Sequence, residues 1–330
     1  MKKEPWRILV GVLAIGWIVF MWVKKDIAAI YASMPPEQIL PLVVTNVAVT
    51  LLKVVGIAAV ILLVKWLAGK LKSDKEASMK TFFKTYWKTL AFFAAVGLVG
   101  GFLTGIYLLD SYPAEIRQQI LDQGLNNVLL GLVTAVQSLI YGVVCGTFGI
   151  ILAKKVGLWK DETTIESRPL LMTLVIAVIG GLGIILPDLL FFGRYAPAIM
   201  DSYAAKPTIV YILAAVIYGG VIEEVMLRLF VMSLVAFLLH KLFGKKGEAP
   251  AIGILVAANV IAALLFAAGH LPTTAMLLGL SPTILFRCFL LNGGFGLLFG
   301  WLYRKYGLRY SMLAHGGCHV ISKMIWIVFV

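Results

Sequence analysis

The sequence predicts an all-α protein, a polytopic transmembrane bundle of about nine helices. Three observations lead there. Hydrophobic residues make up 61% of the 330 and charged residues 14%, a balance that a water-soluble domain could not solvate. The apolar residues gather into runs long enough, at 1.5 Å per residue, to cross a hydrocarbon core. Lysine and arginine cluster in the short loops between those runs, where anionic headgroups and the positive-inside rule favour them.

The elements follow in order. Residues 1–7, with Lys2, Lys3 and Arg7, precede an apolar run at 8–23, and Lys24-Lys25-Asp26 follows without a small-residue cleavage site. This reads as a retained signal-anchor helix. A second span covers 39–66, with Lys53 in its interior facing a polar gap or snorkelling. The loop at 65–88 holds seven lysines against Asp74 and Glu76, the strongest cytoplasmic signal in the chain. The third span, 90–109, has a glycine-rich middle (Gly97, Gly100, Gly101, Gly105) suited to close helix packing. A mildly acidic, external loop leads to the fourth span, 125–153, closed by Lys154-Lys155.

The fifth span runs from 170 to 192, and Pro187-Asp188 is expected to bend it or end it early. The central helix, 208–239, comes next and is followed by a basic loop. The seventh span, 251–270, is expected to stop at Leu271-Pro272. The eighth covers 283–303 with Arg287, Asn292 and Gly293-Gly294-Phe295-Gly296 inside it, and the ninth runs from Ser311 to the end. Basic loops on alternate sides give a cytoplasmic N-terminus and an external C-terminus. No internal repeat, low-complexity tract or soluble domain stands out. The one division falls near Pro169, between an N-terminal helical region (1–168) without polar motifs and a C-terminal core (169–330) that has them all.

Composition also bounds function. The net charge of +13 belongs to loops beside lipid, not to a nucleic-acid surface. Cys145, Cys288 and Cys318 all lie in apolar segments, and their odd number argues against a disulfide framework.

The central helix carries Glu223, Glu224 and Arg228. Each ionised side chain near the middle of a span costs about 2.5–3.5 kcal/mol on insertion scales. Glu224 and Arg228, at i and i+4, share a face and can neutralise one another. A purely structural ion pair accounts for those two and leaves Glu223, about 100° round an α-helix, to face something else.

Histidines are the natural partners. His240 ends the central helix beside lysines and reads as a cap or interface residue. His270 closes the seventh span, and taken alone reads as a histidine hydrogen-bonded at a helix end. His315 and His319 stand at i and i+4 on the ninth span, with Gly316 and Gly317 between them allowing another backbone close. Two designs fit. In one, Glu223 takes a proton from a water that also contacts His270, while His315 and His319 donate to the oxyanion formed by attack on a carbonyl. In the other, imidazoles and a glutamate hold a divalent metal such as zinc. The His-x-x-x-His spacing suits zinc, although no Glu directly follows the first His.

These motifs, in this order, resemble the CPBP family of intramembrane CAAX proteases and bacteriocin-processing proteins, also called Abi proteins. The correspondence runs through Glu223-Glu224 to Arg228, Phe266 to His270, the Asn292–Gly296 cluster and its helix, and His315 to His319, roughly from 209 to 320. The resemblance implies a glutamate-dependent endopeptidase without an obligatory metal. Glu223 and His270 would activate water, Glu224 and Arg228 would support them, and His315 would serve the oxyanion. Phe266 and Asn292 are substrate-cavity candidates. His319 stands where the family commonly has Asn, and a neutral imidazole can donate one hydrogen bond as Asn does.

The implied substrate is a membrane-associated or hydrophobic peptide, and the expected setting is a bacterial plasma membrane. Two other classes compete: a non-catalytic membrane scaffold or bacteriocin immunity protein, and a proton-coupled transporter. The transporter reading lacks repeated halves and paired broken helices. Strict helix alternation sends His270 and His315 toward opposite faces with Glu223 between, so either a helix is short, tilted or re-entrant or a boundary is misplaced; a site near the midplane, reached through a water-filled cavity, would reconcile them.

Overall fold

The computed structural model describes residues 76–112, 114–122, 124, 126–161, 164–245 and 247–330. The expected first two spans, the signal-anchor reading and Lys53 lie outside these residues. Among the described residues every regular element is helical. We number them α1 (Glu76–Ser111), α2 (Ala114–Asp122), α3 (Asn127–Lys155), α4 (Ser167–Tyr195), α5 (Pro197–Tyr203), α6 (209–243), α7 (Ile252–Leu278), α8 (Pro282–Tyr306) and α9 (Leu308–Phe329).

Six helical segments among the described residues are long and apolar enough to cross a membrane: Lys80–Ser111 of α1, together with α3, α4, α7, α8 and α9. Their outer faces stay apolar, with Leu132, Leu171, Leu264 and Val328 exposed, as helices that face lipid require. The chain is an integral membrane protein. Side-chain caps set several helix starts: Asn126 accepts from the Leu129 amide, Thr208 from Tyr211 and Ser281 from Ile284.

Four expectations about the elements need correction. The basic stretch before the third span is not all loop, because α1 already begins at Glu76 and carries Lys80, Lys84 and Lys88. Helix α4 does not end at Pro187. Proline cannot supply the backbone donor of its turn, and the helix widens into a π turn at Asp188–Phe192 before continuing to Tyr195. Helix α7 does not stop at Leu271-Pro272 but passes through Pro272 to Leu278, so His270 lies inside a span. The central helix is not simply α-helical. It is wound as π-helix over Ala215–Glu223 and Val225–Met232, between α-helical ends at Ile209–Ala214 and Ser233–Phe243.

Helix α6 is the hub. It packs against α1, α3, α7 and α9, which accounts for how a helix with three charges near its middle is buried by protein rather than lipid. Helices α1 and α3 pair closely because their crossing is lined with glycine. A Cβ on Gly97 would stand 2.5 Å from the Ser138 carbonyl oxygen. Helix α9 packs along α4 on one side and against the π-wound part of α6 on the other. The polar cluster lies where α6, α7, α8 and α9 meet.

Candidate active site

Helices α6 and α9 touch at their glycines. A Cβ on Gly220 would stand 2.9 Å from the Gly316 Cα, and one on Gly219 would stand 2.9 Å from Nε2 of His319. Without side chains the two backbones come close enough for residues on both to share one pocket. Gly317 turns the other way, where a Cβ would stand 2.8 Å from that of Ala177 in α4.

The neighbours of this crossing are the charged residues. Glu224 is fully buried, and Nδ1 of His315 lies 2.9 Å from its Oε1. The Ser311 hydroxyl donates to Oε2 of the same carboxylate and also lies 3.0 Å from the Phe299 carbonyl oxygen. Arg228 approaches Oε2 with its Nε at 3.4 Å and donates from Nη2 to the Gly296 carbonyl at 3.2 Å. Its guanidinium carbon sits 4.6 Å from the Phe266 ring centroid and 5.6 Å from that of Phe299, close enough for the π faces to share its charge. Arg228 Nη1 has no hydrogen-bond partner. A buried carboxylate in an apolar bundle is costly unless charge-paired and hydrogen-bonded; Glu224 has a cation, an imidazole and a hydroxyl.

Glu223 points elsewhere. Its side chain is 18% exposed, with Oε1 4.0 Å from His270 Nε2 and Oε2 3.8 Å from His315 Nε2. Both separations exceed a direct hydrogen bond and are of the size that one shared water bridges. The other ring nitrogens are committed. His270 Nδ1 donates to the Phe266 carbonyl at 2.9 Å, and His315 Nδ1 faces Glu224. A carbonyl oxygen only accepts, so the neutral His270 ring presents its Nε2 lone pair toward Glu223.

Aromatic rings hold the imidazoles. Phe299 stacks on His315 with centroids 4.6 Å apart and planes 20° apart. Phe266 meets His270 edge-on at 4.7 Å and His315 at 5.7 Å. The His319 ring lies 5.0 Å from that of His315, and its buried Nδ1 has no hydrogen-bond partner.

The structure therefore brings Glu223, Glu224, Arg228, His270 and His315 together, with His319 one turn further along α9. Phe266 packs as a wall between the rings. Asn292 turns back on its own helix, where Nδ2 donates to the Cys288 carbonyl at 3.0 Å. The α7 correction explains how His270 reaches Glu223, since a helix continuing to Leu278 carries His270 two turns inside its end. Ser311 and Phe299 were missed from sequence. Ser311 had a signal, lying four residues before His315 on the same face; Phe299 had none. Among the described residues, no group of three or more His, Cys, Asp or Glu side chains converges so as to hold a metal ion.

Residues 205–321 match a family model described as Rce1-like, type II CAAX prenyl endopeptidase Rce1-like. The matched segment contains every residue of the cluster from Glu223 to His319, and it is the group that the sequence motifs resemble. No curated protein and no solved structure matches the chain.

Proposed function

We propose, from the premise that residues 205–321 form an Rce1-like core within an integral membrane protein, that this chain is an intramembrane endopeptidase in which Glu223 activates the attacking water. One observation carries the reading. A partly exposed carboxylate is bracketed by two imidazole Nε2 atoms, at 4.0 and 3.8 Å, and each imidazole is locked by a bond from its other nitrogen.

The steps follow from those positions. A water between Glu223 and His270 gives one proton to Glu223 and hydrogen-bonds to the His270 lone pair, and its oxygen attacks the scissile carbonyl. The oxyanion that develops takes hydrogen bonds from the α9 imidazoles: His319 through its unpartnered nitrogen, and His315 in its imidazolium form, which gives its Nδ1 proton to the Glu224 hydrogen bond and its Nε2 proton to the oxyanion. Glu223 then passes its proton to the leaving amine as the carbon–nitrogen bond breaks. Glu224 touches no reacting atom. It is a positioning residue that holds the His315 ring, and Arg228 and Ser311 hold Glu224. The substrate class this supports is a membrane-anchored or hydrophobic peptide entering from the lipid layer.

The test is cleavage of a dansyl-labelled, farnesylated CAAX-type peptide and of membrane peptides from cells, comparing wild type with Glu223→Gln. The variant should remain folded and lose cleavage; an unchanged rate would falsify the assignment. A chelator in the same assay addresses metal. Retained activity supports the metal-free reaction, and a loss restored by added zinc overturns it.

A further inference from the structure

The loop after α3 comes together with the start of α4, the end of α8 and the start of α9 around a polar cavity of about 160 Å³. Its walls are Lys160, Glu166, Pro169, Lys305, Tyr306 and Tyr310. None of these residues enters the proposed reaction. The face on which the cavity lies is basic: α3 ends in Lys154-Lys155, α6 carries Lys241 in its last turn, and α8 carries Arg304 and Lys305 in its own. Lysine and arginine at span ends belong beside a leaflet of anionic headgroups.

The chain brings the two cavity lysines together through the tight α8–α9 turn. Gly307 makes that turn at φ +103°, and a Cβ on it would stand 3.2 Å from Cβ and Cγ of Lys160, so the Lys160 stem lies against the turn that follows Lys305. The Lys305 ammonium sits 5.0 Å from the Trp301 ring centroid and 5.1 Å from that of Tyr306, within cation–π range of both. Rings of this kind sit at headgroup level. Tyr310 is 2% exposed, and its hydroxyl accepts the Glu166 amide proton at 2.9 Å. That bond uses an oxygen lone pair and leaves the phenol its own proton to donate.

This lining selects a ligand by charge and by donor pattern. Two ammonium groups against one carboxylate leave a net positive charge, which a singly charged phosphodiester balances and a zwitterion does not. Phosphate oxygens accept from Lys160, Lys305 and Tyr310. The Glu166 carboxylate only accepts, so the ligand must also bring a donor, and the hydroxyls of a glycerol headgroup supply one. We infer that the cavity binds the headgroup of an anionic phospholipid of the phosphatidylglycerol type, with its phosphate on the two lysines and Tyr310 and a headgroup hydroxyl on Glu166. Tyr310 directly precedes Ser311, which donates to Glu224, so the bound lipid braces the start of the helix that carries His315.

The experiment titrates the full-length protein in detergent with short-chain phosphatidylglycerol, phosphatidylethanolamine and phosphatidylcholine, reading affinity by native mass spectrometry and stability by melting temperature. Wild type should bind phosphatidylglycerol about tenfold or more tighter than phosphatidylcholine, the size expected of two lysines beside an anionic headgroup, and should melt higher with it. Phosphatidylethanolamine should fall between the two. The preference should vanish in Lys160→Met/Lys305→Met and persist in Lys160→Arg/Lys305→Arg. It should also persist in Lys241→Met/Lys245→Met, which removes as much charge from the same face away from the cavity. Lys305→Met alone, at an exposed position, should lower the ratio about threefold or more, so the test stands even where the paired methionine variant does not fold. Equal binding of the three lipids by wild type, or an equal loss in the two paired methionine variants, overturns the inference, the second because it shows only a diffuse basic surface. Displacement of the lipid by equimolar glycerol phosphate overturns the lipid assignment and gives the cavity to a free phosphate ester.

Discussion

Nδ1 of His315 lies 2.9 Å from Oε1 of Glu224, which leaves its Nε2 3.8 Å from Glu223. One carboxylate of the adjacent pair binds the imidazole whose other nitrogen faces the second carboxylate. Exchanging charge for shape at Glu224 tests this directly. Glu224→Gln should lower kcat roughly 100-fold or more, as when a histidine loses its orienting carboxylate, while KM changes little. A variant with normal kcat would remove Glu224 from the positioning role.

Arg228 and Glu224 are 1% and 0% exposed and paired at 3.4 Å. Removing one member of such a pair strands the other, at a cost of about 3–5 kcal/mol. Arg228→Met should therefore lower thermal stability in detergent sharply. Arg228→Met combined with Glu224→Leu should recover much of that stability without activity. A double variant no more stable than the single one would show that the pair is not what stabilises this crossing.

Ser311 reinforces the same carboxylate. Ser311→Ala removes one hydrogen bond to a charged acceptor, worth about 1.5–3 kcal/mol, and should reduce kcat/KM about tenfold or more. The fold should survive, because Phe299 and Arg228 still pack around the site. Wild-type kinetics in this variant would mean that the hydroxyl serves only the Phe299 carbonyl.

The glycines at the α6–α9 crossing make a steric prediction. Gly220→Ala would set a methyl 2.9 Å from the Gly316 Cα, whereas a Cβ on Gly253 meets nothing within 4 Å. Gly220→Ala should push the helices apart, widen the gap between Glu223 and His315, and lower cleavage at least tenfold. Gly253→Ala should leave cleavage unchanged. Equal effects of the two substitutions would argue against a close crossing.

Away from the site, Asp188 is fully buried and bound by Arg287 and Tyr203. Arg287→Met should destabilise the protein by about 3–5 kcal/mol, read as a lower unfolding temperature. The protein that remains folded should keep its KM. A raised KM at full stability would place Arg287 in contact with substrate.

The sequence by itself determined the helical membrane fold and the identities of the polar residues. Both follow from rules that act along the chain: apolar run length decides what can span a bilayer, and an ionised group inside a span is costly enough to stand out. The Glu224–Arg228 pairing was legible for the same reason, because i and i+4 lie on one face. The tertiary structure decided what local rules could not. Continuation of α7 through Pro272, π winding of α6 and the Gly220–Gly316 contact together bring His270 and His315 to either side of Glu223. Whether a proline ends a helix, or a π turn replaces an α turn, depends on neighbouring helices that can satisfy and fill the altered turn, and those neighbours lie far away in the chain.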